Sequence, residues 1–109
     1  METLVALADP TRRKIVELLS HGERPAGAIV DKFAISAPAI SQHLRVLREA
    51  RLVRVRAEAQ SRIYELDPVG FSELDDWLRG IRKFWTARLE ALERELDKPE
   101  TTRKSKRKR

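Results

Sequence analysis

Residues 29–66 read IVDKFAISAPAISQHLRVLREARLVRVRAEAQSRIYEL, and this stretch decides the fold. At its centre, Ser36 is a side chain suited to capping a helix N-terminus, and Pro38 falls in the first turn, where a missing N–H costs no hydrogen bond. Ile40, Leu44 and Leu47 follow at i, i+4 and i+7, an apolar stripe along one side, while Ser41, Gln42, Arg45 and Arg48 take the other. The spacing predicts a helix that ends near Ala50-Arg51. Leu52-Val53-Arg54-Val55-Arg56 then alternates and is β-branched, and Arg62-Ile63-Tyr64-Glu65-Leu66 mirrors it. With Ala57–Ser61 between them, these runs predict a hairpin. The usual Asn-Gly or Asp-Gly turn signal is missing, so the turn type stays open.

Working outward, Pro25 is expected to start a shorter helix carrying Ile29, Val30 and Phe33. Before it, Asp9-Pro10 opens a helix with Ile15, Leu18 and Leu19 at helical spacing, ended by His21-Gly22. Thr3–Ala8 reads as one or two helical turns. On the other side, Asp67-Pro68 repeats the cap-then-proline device and opens the longest helix, to about Asp97, ~45 Å at the α-helical rise. Its apolar positions are Phe71, Leu74, Leu78, Ile81, Trp85, Leu89, Leu92 and Leu96, with Trp77 and Phe84 widening the stripe. A core of three small helices is too short to cover such a stripe, and monomers rarely expose one, so the pattern predicts a partner.

Two helices joined by a short turn, the second capped by Ser and followed by a hairpin, form the winged helix-turn-helix pattern. The expected fold is therefore mainly α with a β-hairpin wing: five helices and two antiparallel strands, in a dimer. Residues 1–97 are expected to form the DNA-binding and dimerisation domain, and 98–109 a disordered basic tail without any apolar residue. An α-helix fits the major groove, and small or amide side chains near its start allow close approach to base edges. Gln42 can bridge adenine, and Ala37 or Pro38 can pack on a thymine methyl.

Charge by itself is uninformative. The chain of 109 residues carries a formal +6, but the last twelve residues hold seven Lys or Arg and one Glu, so the body is near neutral. The tail fits either non-specific phosphate binding or simple solubilisation. There is no cysteine, which excludes disulfides, thiolate metal sites and cysteine redox switches from this chain. No apolar run approaches a membrane span, and Met-Glu-Thr is not the start of a signal peptide, so a soluble, cytoplasmic protein without membrane contact is expected. No nucleophile with a placed base and no glycine-rich phosphate loop is present, so no enzyme is expected.

Several strings together resemble one family. Leu7-Ala8-Asp9-Pro10-Thr11-Arg12-Arg13-Lys14-Ile15, Ser41-Gln42-His43-Leu44-Arg45-Val46-Leu47, Leu52-Val53-Arg54-Val55-Arg56 and Tyr64-Glu65-Leu66-Asp67-Pro68 stand in the order and at the separations of the ArsR-type repressors. The resemblance covers residues 4–96. It implies a homodimer on a partly palindromic operator in double-stranded DNA, often repressing its own operon. It places base reading on Ala37, Pro38, Ser41 and Gln42, phosphate contacts on Ser36 and Arg45, and wing contacts on Gln60, Ser61 and Arg62. It assigns the dimer interface to Leu4, Val5 and Leu7 with Leu74, Leu78, Ile81, Trp85, Leu89 and Leu92 of the last helix.

Two departures from the family bear on local geometry. Many relatives have Gly where this chain has Arg51 and Ala59, so Arg51 is expected to remove the left-handed helix stop, and Ala59 leaves the geometry of the wing turn open. The family's best-known metal sites need cysteines before the recognition helix or histidine on the last helix. Neither is present, so no metal, no cofactor and no identifiable inducer are expected. His21 and His43 are read as surface or capping residues. Trp77, Phe84 and Trp85 fit core or dimer packing better than an effector pocket. Arg12, Arg13, Lys14, Arg54 and Arg56 fit either phosphate contact or a salt-bridged surface. The alternative function is a winged-helix interaction module without operator specificity.

Overall fold

The computed structural model describes residues 1–97; the basic tail expected over 98–109 lies outside the described residues. Five helices and three short strands follow in the order α1 (Glu2–Leu7), α2 (Pro10–Leu19), β1 (Arg24–Pro25), α3 (Ala26–Asp31), α4 (Ala37–Glu49), β2 (Val53–Glu58), β3 (Ser61–Leu66) and α5 (Pro68–Asp97). Met1–Asp75 form one compact unit, and a second begins at Asp76, inside α5. No described helix is long and apolar enough to cross a membrane.

The capping signals work as local chemistry requires. The Asp9 carboxylate accepts from the Arg12 N–H at 3.0 Å, with Pro10 in the first turn of α2. Ser36 Oγ accepts from the Ala39 N–H at 3.2 Å and starts α4. Asp67 Oδ1 accepts from the Val69 N–H at 3.0 Å at the start of α5. Each side-chain oxygen satisfies a backbone donor that the first turn leaves without a helical partner.

One core holds the first unit together. Ile15 and Leu19 of α2, Ile29 of α3, and Ile40, Leu44 and Leu47 of α4 are buried with Leu52, Val53 and Tyr64 of the wing's base. Leu7, Phe33 and Phe71 pack on this cluster half-buried.

The hairpin and the segment paired with it differ from their expected form in three ways. First, the strands reach further: Glu58 pairs with Ser61, so the turn is Ala59-Gln60 alone and not Ala57–Ser61. Ala59 has φ 55°, and Gln60 is not in the left-handed region. A positive φ at the first central residue places a left-handed backbone at a residue that carries a side chain. Second, the sheet has three strands in the order β1-β3-β2, because Arg24 and Pro25 pair with Tyr64 and Ile63. Third, the expected α3 start at Pro25 moves to Ala26. Pro25 is extended, at φ −69° and ψ 155°, and acts as the N-cap residue. Proline has no N–H to give to a ladder, which suits this two-residue edge strand.

The expectation at Arg51 is overturned. Arg51 adopts φ 60° despite its side chain. Its N–H donates to the Arg48 carbonyl at 3.0 Å, and the Leu52 N–H donates to the Leu47 carbonyl at 3.0 Å. This is a complete Schellman stop with arginine in the place that usually falls to glycine. The buried pair Leu47 and Leu52 supplies the apolar contact that accompanies it.

Candidate nucleic-acid interface

The recognition helix is set by its buried side. Ile40, Leu44 and Leu47 are each no more than 2% exposed and fix the rotation of α4 about its axis. The same rotation leaves Ala37, Pro38, Ser41, Gln42, Arg45 and Arg48 exposed together on the outer face. Ser36 is exposed at the helix start. Its oxygen is engaged as the cap, which leaves the hydroxyl proton free to donate. Gln60 in the turn and Ser61 and Arg62 at the start of β3 are also exposed.

Between the outer face of α4 and the strands of the wing lies an open concavity of about 730 Å³. Ser41, Gln42, Arg45, Arg48 and Glu49 line one wall; Arg51, Val53, Arg54, Val55, Arg62, Tyr64 and Asp67 line the rest. Five arginines therefore face two carboxylates in this one cleft. Arg45 pairs with Glu49 at 3.3 Å and Arg54 with Glu65 at 3.0 Å, both near the surface where such pairs are weak and exchange readily. Among the described residues, Arg48, Arg51 and Arg62 have no ion pair. The positive balance absent from the body's net charge is thus present as a local arrangement.

Other basic residues turn out to be structural. Arg12 Nε donates to the Ala6 carbonyl at 2.6 Å, its terminal nitrogen reaches the Val5 carbonyl at 3.4 Å, and Arg13 donates to the Leu7 carbonyl at 2.9 Å. These are the last carbonyls of α1; the Val5 carbonyl also accepts from the Ala8 N–H at 3.2 Å, whereas those of Ala6 and Leu7 lie past the last helical donor, so the two arginines bind α1 to α2. Arg12 also lies 3.4 Å from His43 Nδ1, and Asp9 Oδ2 lies 3.8 Å from the same nitrogen. His43 on α4 is thereby seated against the start of α2. The Arg12 N–H holds the Asp9 carboxyl below its ordinary value; burial opposes it, and the nearby His43 and Arg12 side chains add smaller effects in the lowering direction. Arg56 is clamped by both oxygens of Glu23 at 2.9 and 2.7 Å and by Glu58 at 3.2 Å. Those bonds raise its affinity for its proton and lower that of Glu23.

The expected dimer residues divide into two groups. Leu4 and Val5 are exposed on α1, whereas Leu7 is half-buried against the core. On α5, Leu74 is half-buried; Leu78, Ile81, Trp85, Leu89 and Leu92 are exposed, the last three at 53–55%. Phe84 and Trp85 meet edge to face at 5.7 Å, and Arg88 lies 4.9 Å over the Phe84 ring. Among the described residues, no group of three or more His, Asp or Glu side chains is placed to hold a metal ion.

Arg48 and Arg51 belong to the cleft but were not among the expected contacts. Arg48 was detectable, since it stands one turn beyond Arg45 on the same face. Arg51 was not, because its position depends on a left-handed backbone that its own residue type argues against.

A model of the bacterial regulatory proteins of the arsR family matches residues 9–55, from the α2 cap to the middle of β2. The HTH-type transcriptional regulator Rv2034 of Mycobacterium tuberculosis is 46% identical over 84 residues, which cover 77% of this chain and 76% of that protein. The chain belongs to the ArsR family. Among other relatives of this ArsR-family protein, the transcriptional repressor SdpR of Bacillus subtilis is 38% identical over 73 residues, 67% of this chain and 81% of that one. The crystal structure of a possible transcriptional regulator for arsenical resistance superposes with a TM-score of 0.69 at 40% identity, covering 87% of this chain and 96% of its own. The protein is accordingly a winged-helix transcription regulator and not an enzyme.

Proposed function

We propose that this ArsR-family protein is a sequence-specific repressor that binds a partly palindromic operator in double-stranded DNA as a homodimer and represses its own transcription unit. The observation that carries the reading is the cleft, where the exposed face of α4 and an arginine-rich wing share one concavity. In this reading α4 enters the major groove. Ala37, Pro38, Ser41 and Gln42 meet base edges, Ser36 and Arg45 hold phosphates, and Gln60, Ser61 and Arg62 follow the adjacent backbone. Glu49 and Glu65 release Arg45 and Arg54 to phosphates, an exchange of one anion for another that costs little at an exposed site.

Dimerisation is supported by the exposed stripe Leu78, Ile81, Trp85, Leu89 and Leu92 of the second unit; in the first unit Leu4 and Val5 are exposed, and Leu7 and Leu74 half-buried. A two-fold axis presents two copies of α4 to successive major grooves about 34 Å apart. Residues 1–97 then act as one DNA-binding and dimerisation domain in the cytoplasm, and no inducer is assigned.

Mobility shift on the DNA upstream of the protein's own coding sequence, against a scrambled duplex, tests the reading. Tight binding to the first is expected, reduced to the scrambled level by the pair Ser41→Ala and Gln42→Ala, with non-specific binding retained. Equal affinity of the unmodified protein for both duplexes overturns operator recognition in favour of a general interaction module.

A further inference from the structure

Arg51 occupies a backbone position that favours glycine. At φ 60° a residue with a Cβ is strained, and glycine is not. The helix stop there is made entirely by backbone groups, namely the Arg51 and Leu52 N–H donors and the Arg51 carbonyl that accepts from Gly70 at 2.7 Å. None of these needs the arginine side chain. That side chain is exposed, lacks an ion pair among the described residues, and lines the cleft between α4 and the wing. By contrast, Arg45, Arg54 and Arg56 are all matched to carboxylates. Strain that the fold itself does not require points to a role for the group that causes it.

We infer that Arg51 is a phosphate-binding residue: its guanidinium engages a DNA backbone phosphodiester at the base of the cleft, beside Arg48. The inference rests on the DNA-binding reading above and adds a contact to it. A planar guanidinium can give two parallel hydrogen bonds to phosphate oxygens, and the contact anchors the duplex without reading sequence. Local backbone stability is given up for affinity. This opposition separates a binding role from a merely structural one, because a structural residue lowers stability when it is lost.

The test measures thermal unfolding and DNA affinity of the full chain over a range of salt concentrations, on upstream and scrambled duplexes. Arg51→Gly is expected to raise Tm by roughly 4 °C as the strain is removed. The same variant loses affinity for both duplexes alike, and log K against log salt becomes shallower by about 0.9 for each protomer bound. Arg51→Asn, which tolerates the left-handed backbone without a charge, shows the same loss of slope, and Arg51→Lys retains it. Unchanged affinity and slope in both neutral variants overturn the assignment to Arg51 alone. Absence of salt-dependent binding by the unmodified protein instead overturns the DNA-binding reading, and the assignment with it.

Discussion

The N–H of Gly70, in the first turn of α5, donates to the carbonyl oxygen of Arg51 over 2.7 Å. One hydrogen bond thus joins the stop of the recognition helix to the start of the last helix, across the fourteen-residue hairpin Val53–Leu66. The left-handed backbone of Arg51 turns its carbonyl to meet that donor, and Asp67 N–H donating to the Leu52 carbonyl at 2.9 Å fixes the adjoining peptide. These backbone bonds close the base of the wing over the buried Leu47 and Leu52 side chains.

Gly70→Ala follows directly from this approach. An added Cβ would stand 2.7 Å from the Arg51 carbonyl carbon and 2.8 Å from the Ala50 carbonyl oxygen, with the Arg51 oxygen nearer still. All three are backbone atoms and cannot rotate away. The substitution is expected to cost about 2–3 kcal/mol of unfolding free energy, by the usual scale of overpacking. Urea unfolding measures it; a loss below half a kcal/mol would show that the first turn of α5 is free to shift.

Thr3 gives a prediction of the opposite sign. It is fully buried in α1, and its hydroxyl has no hydrogen-bond partner among the described residues. Thr3→Val keeps the shape and removes the unsatisfied group, so a gain of about 1 kcal/mol is expected. A shift of the urea midpoint to higher concentration at unchanged slope is the signature. A destabilised variant would mean that the hydroxyl has found a partner.

Asp9 makes stability depend on acid pH. Its carboxyl is held below its ordinary value, first by the Arg12 N–H, so the native state binds that proton less readily than the unfolded chain does. The contribution is fully present above the ordinary carboxylate range and is lost as pH falls through the lowered native value. Asp9→Asn retains a capping side chain and should flatten this dependence, while Asp9→Ala should lose about 1 kcal/mol at neutral pH. Unfolding curves from acid to neutral pH check both, and an unchanged acid limb in Asp9→Asn would remove the carboxylate from the account.

Much of this was legible in the sequence, for a local reason. Ser36, Asp9 and Asp67 act within one helical turn, so residue type and spacing suffice to place α2, α4 and α5. The polar face of α4 was equally legible, because Ile40, Leu44 and Leu47 determine its opposite. What escaped was decided by distant partners. Pro25 became a strand residue because Ile63 lies beside it, and Arg56 a structural residue because Glu23 and Glu58 converge on it. Arg51 misled for a further reason: burial of Leu47 and Leu52 outweighs the strain of one left-handed arginine, a balance that propensity at a single position does not register.

The exposed side of α5 supplies the remaining prediction. Trp85, Leu89 and Leu92 are more than half exposed, and each leaves apolar surface in water that a second copy would remove. Leu89→Glu places a charge in the middle of that stripe, where burial without a counter-charge is unfavourable. Sedimentation should show the unmodified chain as a dimer and the variant as a monomer that retains a helical circular-dichroism spectrum. Operator affinity should fall by two orders of magnitude or more, since one recognition helix then binds without its mate, losing an effective concentration of about a millimolar. A fully dimeric Leu89→Glu protein would move the interface away from this stripe. A monomeric variant with undiminished operator affinity would separate DNA reading from dimerisation altogether.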